Sequence, residues 1–381
     1  MEPALERIVE QVRAARAERA TLDIRGGLTK AFYGGPARGE PLDVRPLAGI
    51  TSYEPSELVV TARAGTPLAE LEAVLAERGQ CLPFEPPRFA AAGRAVDGAV
   101  GGNAGSAEEA AVGTVGGMVA AGLAGPARAA VGGVRDYVLG ATMVNGRGEL
   151  LTFGGQVMKN VAGYDVSRVL AGSLGTLGVI CEVSLKVLPL APAQLTLRWE
   201  FDEATALRRI NEWSGQPLPL HASAWWEGML VVRLAGAAAA VRAAQAHLGG
   251  EAIEPELAAK FWRGLRDHED EFFVGAARAV ERGAGLWRLS VPSTAPPLGL
   301  PGEQLVEWAG AQRWLCTSAA PALLREAAAN AGGHAALFRG GDKAGGVFAP
   351  LAPTVARIQR ELMCAFDPDR VFNRGRLYPE L

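Results

Sequence analysis

The chain has few cysteines and no Cys-x-x-Cys pair, because Cys81, Cys181, Cys316 and Cys364 lie far apart in its 381 residues. Zinc knuckles, iron–sulfur clusters and disulfide frameworks require closely or regularly spaced cysteines. The sequence therefore predicts no metal site and no disulfide framework. We interpret the four cysteines as buried free thiols in a reducing compartment.

Dense blocks of lysine and arginine are also missing, and the formal net charge is −3. Nucleic-acid binding needs a basic surface, so this class of function is excluded. Residues 1 to 20 are charged and have helical periodicity without the apolar core of a signal peptide, which predicts a cytoplasmic protein. The uncharged run from 110 to 127 contains five glycines and a proline and few large apolar side chains, so no membrane span is predicted.

Tryptophan and histidine are missing from the first half of the chain, since all eight tryptophans and all four histidines follow residue 198. Glycine has the opposite distribution: 21 of the 48 glycines lie between Gly93 and Gly178. Two chemically different domains explain this contrast better than one domain does. The boundary is predicted near residues 188 to 194, in the sequence LPLAPAQ.

The first part of the chain has a mixed α+β pattern that lacks the regular alternation of a doubly wound sheet. Short β-rich runs end in glycine, an amphipathic helix stops at Gly79, and a strand pair is joined by an Asn145-Gly146 turn before a long final strand. These elements are predicted at residues 22 to 26, 57 to 65, 66 to 80, 137 to 155 and 177 to 190.

The second part begins with strand, helix, strand, strand and helix, which is the order of a ferredoxin-like unit. The predicted elements are residues 193 to 201, 203 to 215, 222 to 236 (two strands) and 237 to 250. The end of the chain is predicted to be a helix followed by an extended tail with an Asp367-Pro368 turn.

Three glycine-rich segments follow predicted strand ends, at residues 24 to 30, 113 to 122 and 171 to 180. Clustered glycines allow backbone N–H groups to approach an anion closely, and Arg25, Thr29 and Lys30 would suit a pyrophosphate. Each segment by itself could be a tight turn, but three in one domain favour a nucleotide. A Rossmann fingerprint and a P-loop motif are both missing.

Four long segments of the sequence resemble the PCMH-type, vanillyl-alcohol-oxidase-like FAD-binding family. Within this family, they are most similar to the FAD-binding subunits of glycolate oxidases. Residues 195 to 350 match loosely, and GGHAALFR is their best match. The four segments are IRGGLTKAFYG, LPFEPP, residues 113 to 189 (GTVGGMVAAG to VSLKVLP) and FDPDRVFNRGRLYP.

The resemblance implies an α+β fold with three parts. Residues 1–190 would form a PCMH-type FAD-binding domain of two α+β subdomains, and residues 191–355 a ferredoxin-like cap for substrate or partner. Residues 356–381 would be a C-terminal helix and tail that return to the FAD domain. The stretch KNVAGYD would form a corner that meets the cofactor, and VSRVLAG one modest helix.

The family pattern also implies the residues that bind FAD. The first loop would hold the pyrophosphate, a proline-rich turn would line the flavin, and the glycines near residue 116 would follow the ribityl-diphosphate chain. Residues 159 to 165 would form a wall near the adenosine or flavin. Residues 178 to 180, at the start of the last strand, and Asn373 in the tail complete the set. The residues are Arg25, Gly26, Gly27, Leu28, Thr29, Lys30, Pro83, Phe84, Glu85, Pro86, Thr114, Gly116, Gly117, Gly122, Gly132, Lys159, Asn160, Gly163, Tyr164, Asp165, Gly178, Val179, Ile180 and Asn373.

The sequence departs from the family pattern in four places. Leu28 stands where a third glycine is expected, and Arg374 stands where proline is usual. Residues 90 to 112 form a longer connection than the family pattern predicts. We interpret this segment, here called the Ala/Gly-rich excursion, as mobile. No histidine precedes His221, so the histidyl linkage of some relatives is not expected and FAD should bind non-covalently.

Catalytic residues are not identified by the sequence. His334 could act as a base with Arg339 as a carboxylate clamp and Lys343 close by, but a structural histidine with solvated charges is the simpler interpretation. Arg135 and Asp136 read as a structural turn or a buried pair. The cap tryptophans could form either a partner surface or a core.

The function implied by the resemblance is that of the FAD-binding subunit of a glycolate oxidase complex, which oxidises glycolate to glyoxylate. The implied partners are a sister flavoprotein subunit and an iron–sulfur subunit. The expected location is cytoplasmic, with peripheral attachment to the inner membrane through these partners as an option. The alternatives are a structural subunit with a vestigial flavin site and a self-sufficient FAD-dependent 2-hydroxy-acid dehydrogenase.

Overall fold

The computed structural model describes residues 2–89, 112–155 and 165–380. Some predictions lie outside these ranges. They are the Ala/Gly-rich excursion, of which Val112 alone is described, and the proposed FAD wall residues Lys159, Asn160, Gly163 and Tyr164.

The chain begins with the predicted helix, which packs on a parallel pair of short strands. Helix α1 (Pro3–Glu18) ends at Arg19 in the left-handed conformation, and strands β1 (Leu22–Arg25) and β2 (Glu40–Asp43) pair in parallel. One face of α1 carries Ile8, Val9 and Val12, which are buried against Leu22 and Leu42 of the strands. This burial fixes the position of the loop that follows β1.

A five-stranded antiparallel sheet forms the centre of the first half, with strand order β3-β4-β8-β6-β7. Its central strand β8 is buried on both faces: Val179 and Cys181 pack towards α1, whereas Val183 and Leu185 pack towards α2 and α3. The elements are β3 (Ile50–Glu54), β4 (Val59–Arg63), α2 (Leu68–Glu77), β5 (Gln80–Cys81), α3 (Val115–Ala121), α4 (Arg128–Val131), α5 (Val134–Tyr137), β6 (Val138–Val144), β7 (Leu150–Gly154), β8 (Val179–Lys186) and β9 (Leu188–Pro189), which pairs with β5.

Several predictions for this half are confirmed, and two local ones are wrong. The strand pair β6 and β7 is joined by the turn at Asn145. The glycines of 171 to 180, however, precede strand β8 instead of following a strand; those of 113 to 122 lie in helix α3 and at its two ends, and the residues before them, 90 to 111, are outside the described ranges. The predicted helix across VSRVLAG is a single 3-10 turn (Ser167–Leu170), because Gly172 takes a positive φ of 85° directly after it.

The second half contains an eight-stranded antiparallel sheet, here called the cap sheet, with strand order β13-β10-β12-β11-β15-β16-β14-β17. Its elements are β10 (Ala193–Glu200), α6 (Glu203–Ser214), β11 (Leu220–Trp226), β12 (Met229–Gly236), α7 (Ala238–Leu248), β13 (Glu251–Ala252), α8 (Pro255–Asp267), α9 (Glu271–Glu281), β14 (Gly285–Ser290), β15 (Glu303–Glu307), β16 (Gln312–Thr317), α10 (Pro321–Asn330) and β17 (His334–Gly340).

The predicted ferredoxin-like order is confirmed, but it occurs twice. Strands β10 to β13 have the spatial order 4-1-3-2 of that fold, and strands β14 to β17 repeat it beside them. The two units join where β11 pairs with β15. The second unit is harder to detect in sequence because a loop, residues 291 to 302, replaces its first crossover helix.

The end of the chain returns to the first half. Helix α11 (Pro353–Phe366) packs Leu362, Met363 and Phe366 against the core of the five-stranded sheet. The predicted turn is present, since the Arg370 N–H donates to the Asp367 carbonyl at 3.1 Å. Beyond it, Phe372 forms a parallel bridge to Leu22 of β1.

The cysteine and tryptophan expectations have different outcomes. Cys181 and Cys316 are buried, as predicted, whereas Cys81 is half-buried and Cys364 is exposed, so the prediction is wrong for these two. Cys364 lies on the solvent side of α11, whose other side packs on the sheet.

None of the eight tryptophans is exposed, which favours the core interpretation over the partner surface. Within the described ranges, no helix has both the length and the apolar character needed to cross a bilayer.

Arg376 anchors the tail, and we expect Arg376→Ala to lower the free energy of unfolding by about 3 kcal/mol or more. Its buried guanidinium donates to the carbonyls of Ala31 (3.1 Å), Tyr33 (2.7 Å) and Gly35 (2.6 Å), which the substitution would leave unpaired. The measurement is urea unfolding followed by circular dichroism. The exposed Arg374 is the control, and Arg374→Ala should change stability by less than about 0.5 kcal/mol.

Candidate functional site

A long cleft of about 880 Å³, including its open mouth, lies where four segments of the first half meet the tail. Its walls are the loop after β1, the first turns of α3, the turn before β8 and the tail after α11. The lining residues are Asp23, Ile24, Gly26, Gly27, Leu28, Thr29, Lys30, Ala31, Ala37, Val44, Ala64, Thr114, Gly116, Gly117, Ala120, Ala121, Leu174, Gly175, Gly178, Ile180, Asn373 and Arg376.

The loop after β1 lies directly against the chain before α3, and only glycine allows this contact. A Cβ atom at Gly27 would lie 1.6 Å from the Val112 carbonyl oxygen, and one at Gly26 would lie 2.5 Å from Thr114 Oγ1. Leu28 takes the left-handed conformation (φ 57°) that the expected glycine would favour, and its side chain is 51% exposed at the cleft. The backbone at Leu28 therefore adopts the conformation that glycine favours, which is unfavourable in free energy for a residue with a side chain.

The start of α3 forms the opposite wall. Thr114 caps this helix, because its Oγ1 accepts a hydrogen bond from the Gly117 N–H at 3.2 Å. Gly116 packs against β4, where an added Cβ would lie 2.6 Å from the Ala64 Cβ. Thr114, Gly116 and Gly117 thus present backbone, with little side-chain bulk, to the cleft.

The described lining of the cleft carries positive charge at Lys30. Burial lowers the pKa of Lys30 to about 8, although the nearby carboxylates of Asp267 and Glu72 act in the opposite direction. The one carboxylate of the lining, Asp23, is neutralised by Arg25, whose Nε donates to it at 2.7 Å. A ligand with phosphate groups therefore meets Lys30 without an unpaired acid in the described lining.

Asn373 joins three walls of the cleft. Its Oδ1 accepts from the Ile24 N–H at 2.8 Å, and its Nδ2 donates to the Leu174 carbonyl at 2.6 Å. The close packing continues at Gly175, where an added Cβ would lie 2.6 Å from Asn373 Nδ2. The tail asparagine singled out by the sequence is therefore a structural link as well as a lining residue.

The remaining residues expected to bind FAD lie outside the lining of this cleft. Phe84 belongs to the core below the five-stranded sheet, in ring contact with Tyr137, and Val179 packs towards α1. Asp165 pairs with Arg168 at 3.0 Å. The full set is Arg25, Pro83, Phe84, Glu85, Pro86, Gly122, Gly132, Asp165 and Val179.

Glu85 connects the first half to the cap. Its carboxylate accepts from Arg233 Nη2 at 2.6 Å and from the Ala127 N–H at 3.0 Å. Arg233 also donates to His221 Nδ1 at 3.1 Å. Burial and the Arg233 charge lower the pKa of His221, so this histidine is neutral at pH 7.

Sequence reasoning missed part of the lining, above all Arg376, Leu174 and the alanines of α3. Arg376 had a usable signal, since it follows Asn373 by three residues in the recognised tail segment. Leu174 and the alanines carry no chemical signal of their own. Their positions depend on contacts between distant parts of the chain.

His334 and Arg339 do not form a catalytic pair. They stand near opposite ends of β17, five residues and therefore about 17 Å apart. His334 is exposed, and the Arg339 guanidinium lies 4.0 Å from the centre of the Phe32 ring. Lys343 donates to the Gly34 carbonyl at 3.0 Å. Arg339 and Lys343 thus hold the loop after Lys30 against the cap.

The turn interpretation of Arg135 and Asp136 agrees with the contacts of both residues. Asp136 accepts from the Gly133 N–H at 2.7 Å and so closes the start of α5. Arg135 donates to the Ala171 carbonyl at 3.3 Å.

A second, much smaller cavity, with room for about one water molecule, lies between the segment after α3 and the cap sheet. Aromatic rings pack around it, including Phe338 and Trp314 at 4.8 Å and His268 stacked on Phe273 at 3.7 Å. Its lining also includes Arg288, Glu307 and Gln312. Burial raises the pKa of Glu307 to about 7, and burial with nearby arginines holds the pKa of His268 well below its usual value.

Comparison with known proteins agrees with this fold and cleft. A family model described as "FAD binding domain" matches residues 4–113. Glycolate oxidase subunit GlcE of Escherichia coli K12 is 46% identical over 98% of this chain and 97% of its own length. Glycolate oxidase subunit GlcD of Bacillus subtilis is 37% identical over 23% of this chain and 18% of its own length. A solved alkyldihydroxyacetonephosphate synthase superposes with a TM-score of 0.63 at 14% identity, over 97% of this chain and 74% of that one.

The domain match and the curated relatives together define a PCMH-type FAD-binding protein of the oxidoreductase class. Within that class, the chain belongs to the family of the glycolate oxidase subunit GlcE, because the identity extends over almost the full length of both proteins.

Gly27→Ala tests the close contact of the two cleft walls. The added methyl group would collide with the Val112 carbonyl, so the loop must move, and we expect FAD affinity to fall at least about 100-fold in a protein that still folds. The measurement is quenching of FAD fluorescence on titration with protein. Gly155→Ala is the control, because its Cβ would have no neighbour within 4 Å among the described residues; equal losses in both variants would contradict the prediction.

Proposed function

We propose that this chain is the FAD-binding subunit of a glycolate oxidase and that it holds FAD non-covalently in the cleft described above. The observation that carries the proposal is the meeting of the glycine loop, Lys30 and Asn373 in a single cleft of about 880 Å³. The loop that carries Gly26, Gly27 and Lys30 and the tail that carries Asn373 are distant in sequence; the residues of the loop predicted an anion site, and the family resemblance implied the role of Asn373.

The lining fits FAD in shape and charge. The backbone of Gly26 and Gly27 and the hydroxyl of Thr29 would face the pyrophosphate, with Lys30 as the cation. Thr114 and Gly117 would follow the ribityl-diphosphate chain, and Gly178, Ile180 and Asn373 would contact the opposite side of the cofactor. The resemblance implies that Pro83, Phe84, Glu85, Pro86 and Val179 would contact FAD as well, although they are not part of the lining of the cleft.

Bound FAD would supply the two-electron acceptor for oxidation of a 2-hydroxy acid, and the residues of this chain would bind and orient both. The relatives support glycolate as the substrate, since the 46% identical protein is named a glycolate oxidase subunit. The class of reaction is oxidation of the CH–OH group of glycolate to glyoxylate.

The proposed partners are a sister flavoprotein subunit and an iron–sulfur subunit. The word "subunit" in the name of the E. coli relative supports an assembly, and the matching segment of a GlcD protein supports a second flavoprotein of related fold. The sequence offers no cysteine spacing for an iron–sulfur cluster, so this subunit would be a separate chain. We place the complex in the cytoplasm, attached to the inner membrane through its partners.

The direct test is purification of the full chain, alone and with the two proposed partners. We expect a yellow protein that releases FAD into the filtrate after acid denaturation and ultrafiltration, because no histidine precedes His221 to form the linkage known in relatives. Flavin retained by the denatured protein would contradict non-covalent binding. A colourless, folded protein that still assembles with its partners would favour the structural subunit with a vestigial site.

FAD affinity should decrease as the pH rises above about 8. Lys30 has a pKa of about 8 in the free protein, and a phosphate favours its charged form, so binding above this pH requires uptake of a proton. We expect the dissociation constant to rise by up to about tenfold per pH unit between pH 8 and 10. Lys30→Arg keeps its charge in this range, so its affinity should stay flat; the same slope in both proteins would contradict the role of Lys30.

A further inference from the structure

A hollow on the surface of the first half collects four arginines from two distant parts of the chain. It lies between the end of α1 and the tail after α11, and its size is about 1270 Å³, including its open mouth. A single small ion would leave most of this space empty. The charged residues of the lining are Arg13, Arg16, Arg19, Asp369 and Arg374.

Two of the arginines are bonded within the chain. Asp369 is the one carboxylate of the described lining, and it accepts from Arg16 Nε at 2.6 Å. Arg13 donates to the Gly148 carbonyl at 3.1 Å, and this acceptor carries no net charge. The first pair is therefore neutral, whereas Arg13 keeps its positive charge.

The other two arginines, Arg19 and Arg374, are both exposed. Neither forms an ion pair with any residue that the structure describes. The Arg374 charge does attract the Asp367 carboxylate, but Asp367 is only 3% exposed and lies outside the lining. Both guanidinium groups are therefore available to an anion that enters the hollow.

The helix end explains only part of this cluster. The C-terminal end of a helix attracts basic side chains, which accounts for Arg16 and Arg19 at the end of α1. It does not account for Arg374, which comes from the tail and departs from the family pattern. Arginines that face one hollow with a single acid repel each other, and a bound anion would remove this repulsion.

We propose that this hollow is the docking site for an acidic segment of one of the partner subunits. The Cα atoms of Arg13 and Arg19 are about 9 Å apart along α1, so one carboxylate cannot pair with both, and Arg374 needs a further one. A segment with several aspartates or glutamates supplies these carboxylates from a single chain. This inference rests on the assembly proposed above and adds the surface that would form it.

Other anionic surfaces fit the hollow less well. A bilayer presents a broad plane of headgroups, and peripheral binding to it also needs exposed apolar side chains. The apolar residues of the described lining are Ala17 and Val371, and Val371 is only 1% exposed. A single-stranded nucleic acid binds through aromatic rings on which its bases stack, and the described lining contains no aromatic residue.

The hollow is separate from the cleft proposed to hold FAD. Asn373 lines the cleft, whereas the next residue, Arg374, lines the hollow. Arg19 lines the hollow as well and is not part of the cleft. Substitutions of Arg19 and Arg374 therefore test docking without changing a residue that lines the FAD cleft.

The test measures binding of the full-length, FAD-loaded chain to the copurified pair of proposed partner subunits by biolayer interferometry. We expect the double variant Arg19→Glu with Arg374→Glu to weaken binding about tenfold or more in about 50 mM NaCl, mainly through slower association. The loss should be smaller in about 300 mM NaCl, where salt screens exposed charges. The matched control is Arg242→Glu with Arg278→Glu, which makes the same change of net charge on exposed parts of α7 and α9 and should alter the affinity less than about threefold.

Equal affinities of the wild type and the Arg19→Glu, Arg374→Glu protein would overturn the proposal. An equal loss in the control would also overturn it, because the response would then be to net charge alone. Phosphatidylglycerol vesicles are a second probe: if only vesicle binding depends on Arg19 and Arg374, the hollow is a lipid site and the proposal is wrong. Arg19→Gln with Arg374→Gln is the milder variant if the first does not fold, and it should weaken partner binding about threefold.

The wild-type chain separates these results from a failure of the proposed function. A wild-type chain that binds the partner pair while the variants bind equally well would contradict this docking site alone. A folded, FAD-loaded wild-type chain that binds neither partner would contradict the proposed assembly and the docking site together. A chain purified without FAD would contradict the proposed cofactor, whatever its binding to the partners.

Discussion

The cleft proposed to hold FAD depends on one constraint above all, the close contact between two backbone segments that come from different elements. The loop at Gly26 and Gly27 touches the chain at Val112 and Thr114 with no room for a Cβ atom. If the loop moved outwards, Thr29 and Lys30 would leave the cleft, and α3 would lose the wall opposite its first turn. The parallel strands β1 and β2, packed on α1, hold the loop in place from below.

The cap is connected to this arrangement by charged and aromatic contacts more than by shared sheet structure. Glu85 and Arg233 form one link, and Arg339 and Lys343 hold the loop after Lys30 as another. The second link is important for the cleft, because Arg339 and Lys343 contact the continuation of the loop that forms one of its walls. A change in the cap can therefore alter the position of Lys30 without any direct contact with FAD.

The sequence allowed prediction of those features that are local or chemically distinctive. Three glycine-rich segments, one of them beside Thr29 and Lys30, predicted an anion site, and the order of strands and helices identified one ferredoxin-like unit. The second unit was missed because residues 291 to 302 form a loop instead of a crossover helix. The roles of Glu85 and Val179 could not be read from neighbouring residues. Glu85 pairs with Arg233, 148 residues later, and both faces of β8 are buried, so its pattern does not show which face meets the cleft.

The tail has a consequence for when the protein can acquire its cofactor. Asn373 and Arg376 close the cleft by bonding to residues 24, 31, 33, 35 and 174, which the ribosome makes much earlier. The glycine loop and α3 can form during synthesis, but one wall is missing until the last residues leave the ribosome exit tunnel. If the cleft holds FAD as proposed, loading of flavin would follow completion of the chain, and a prematurely terminated chain would lack the part that closes the site.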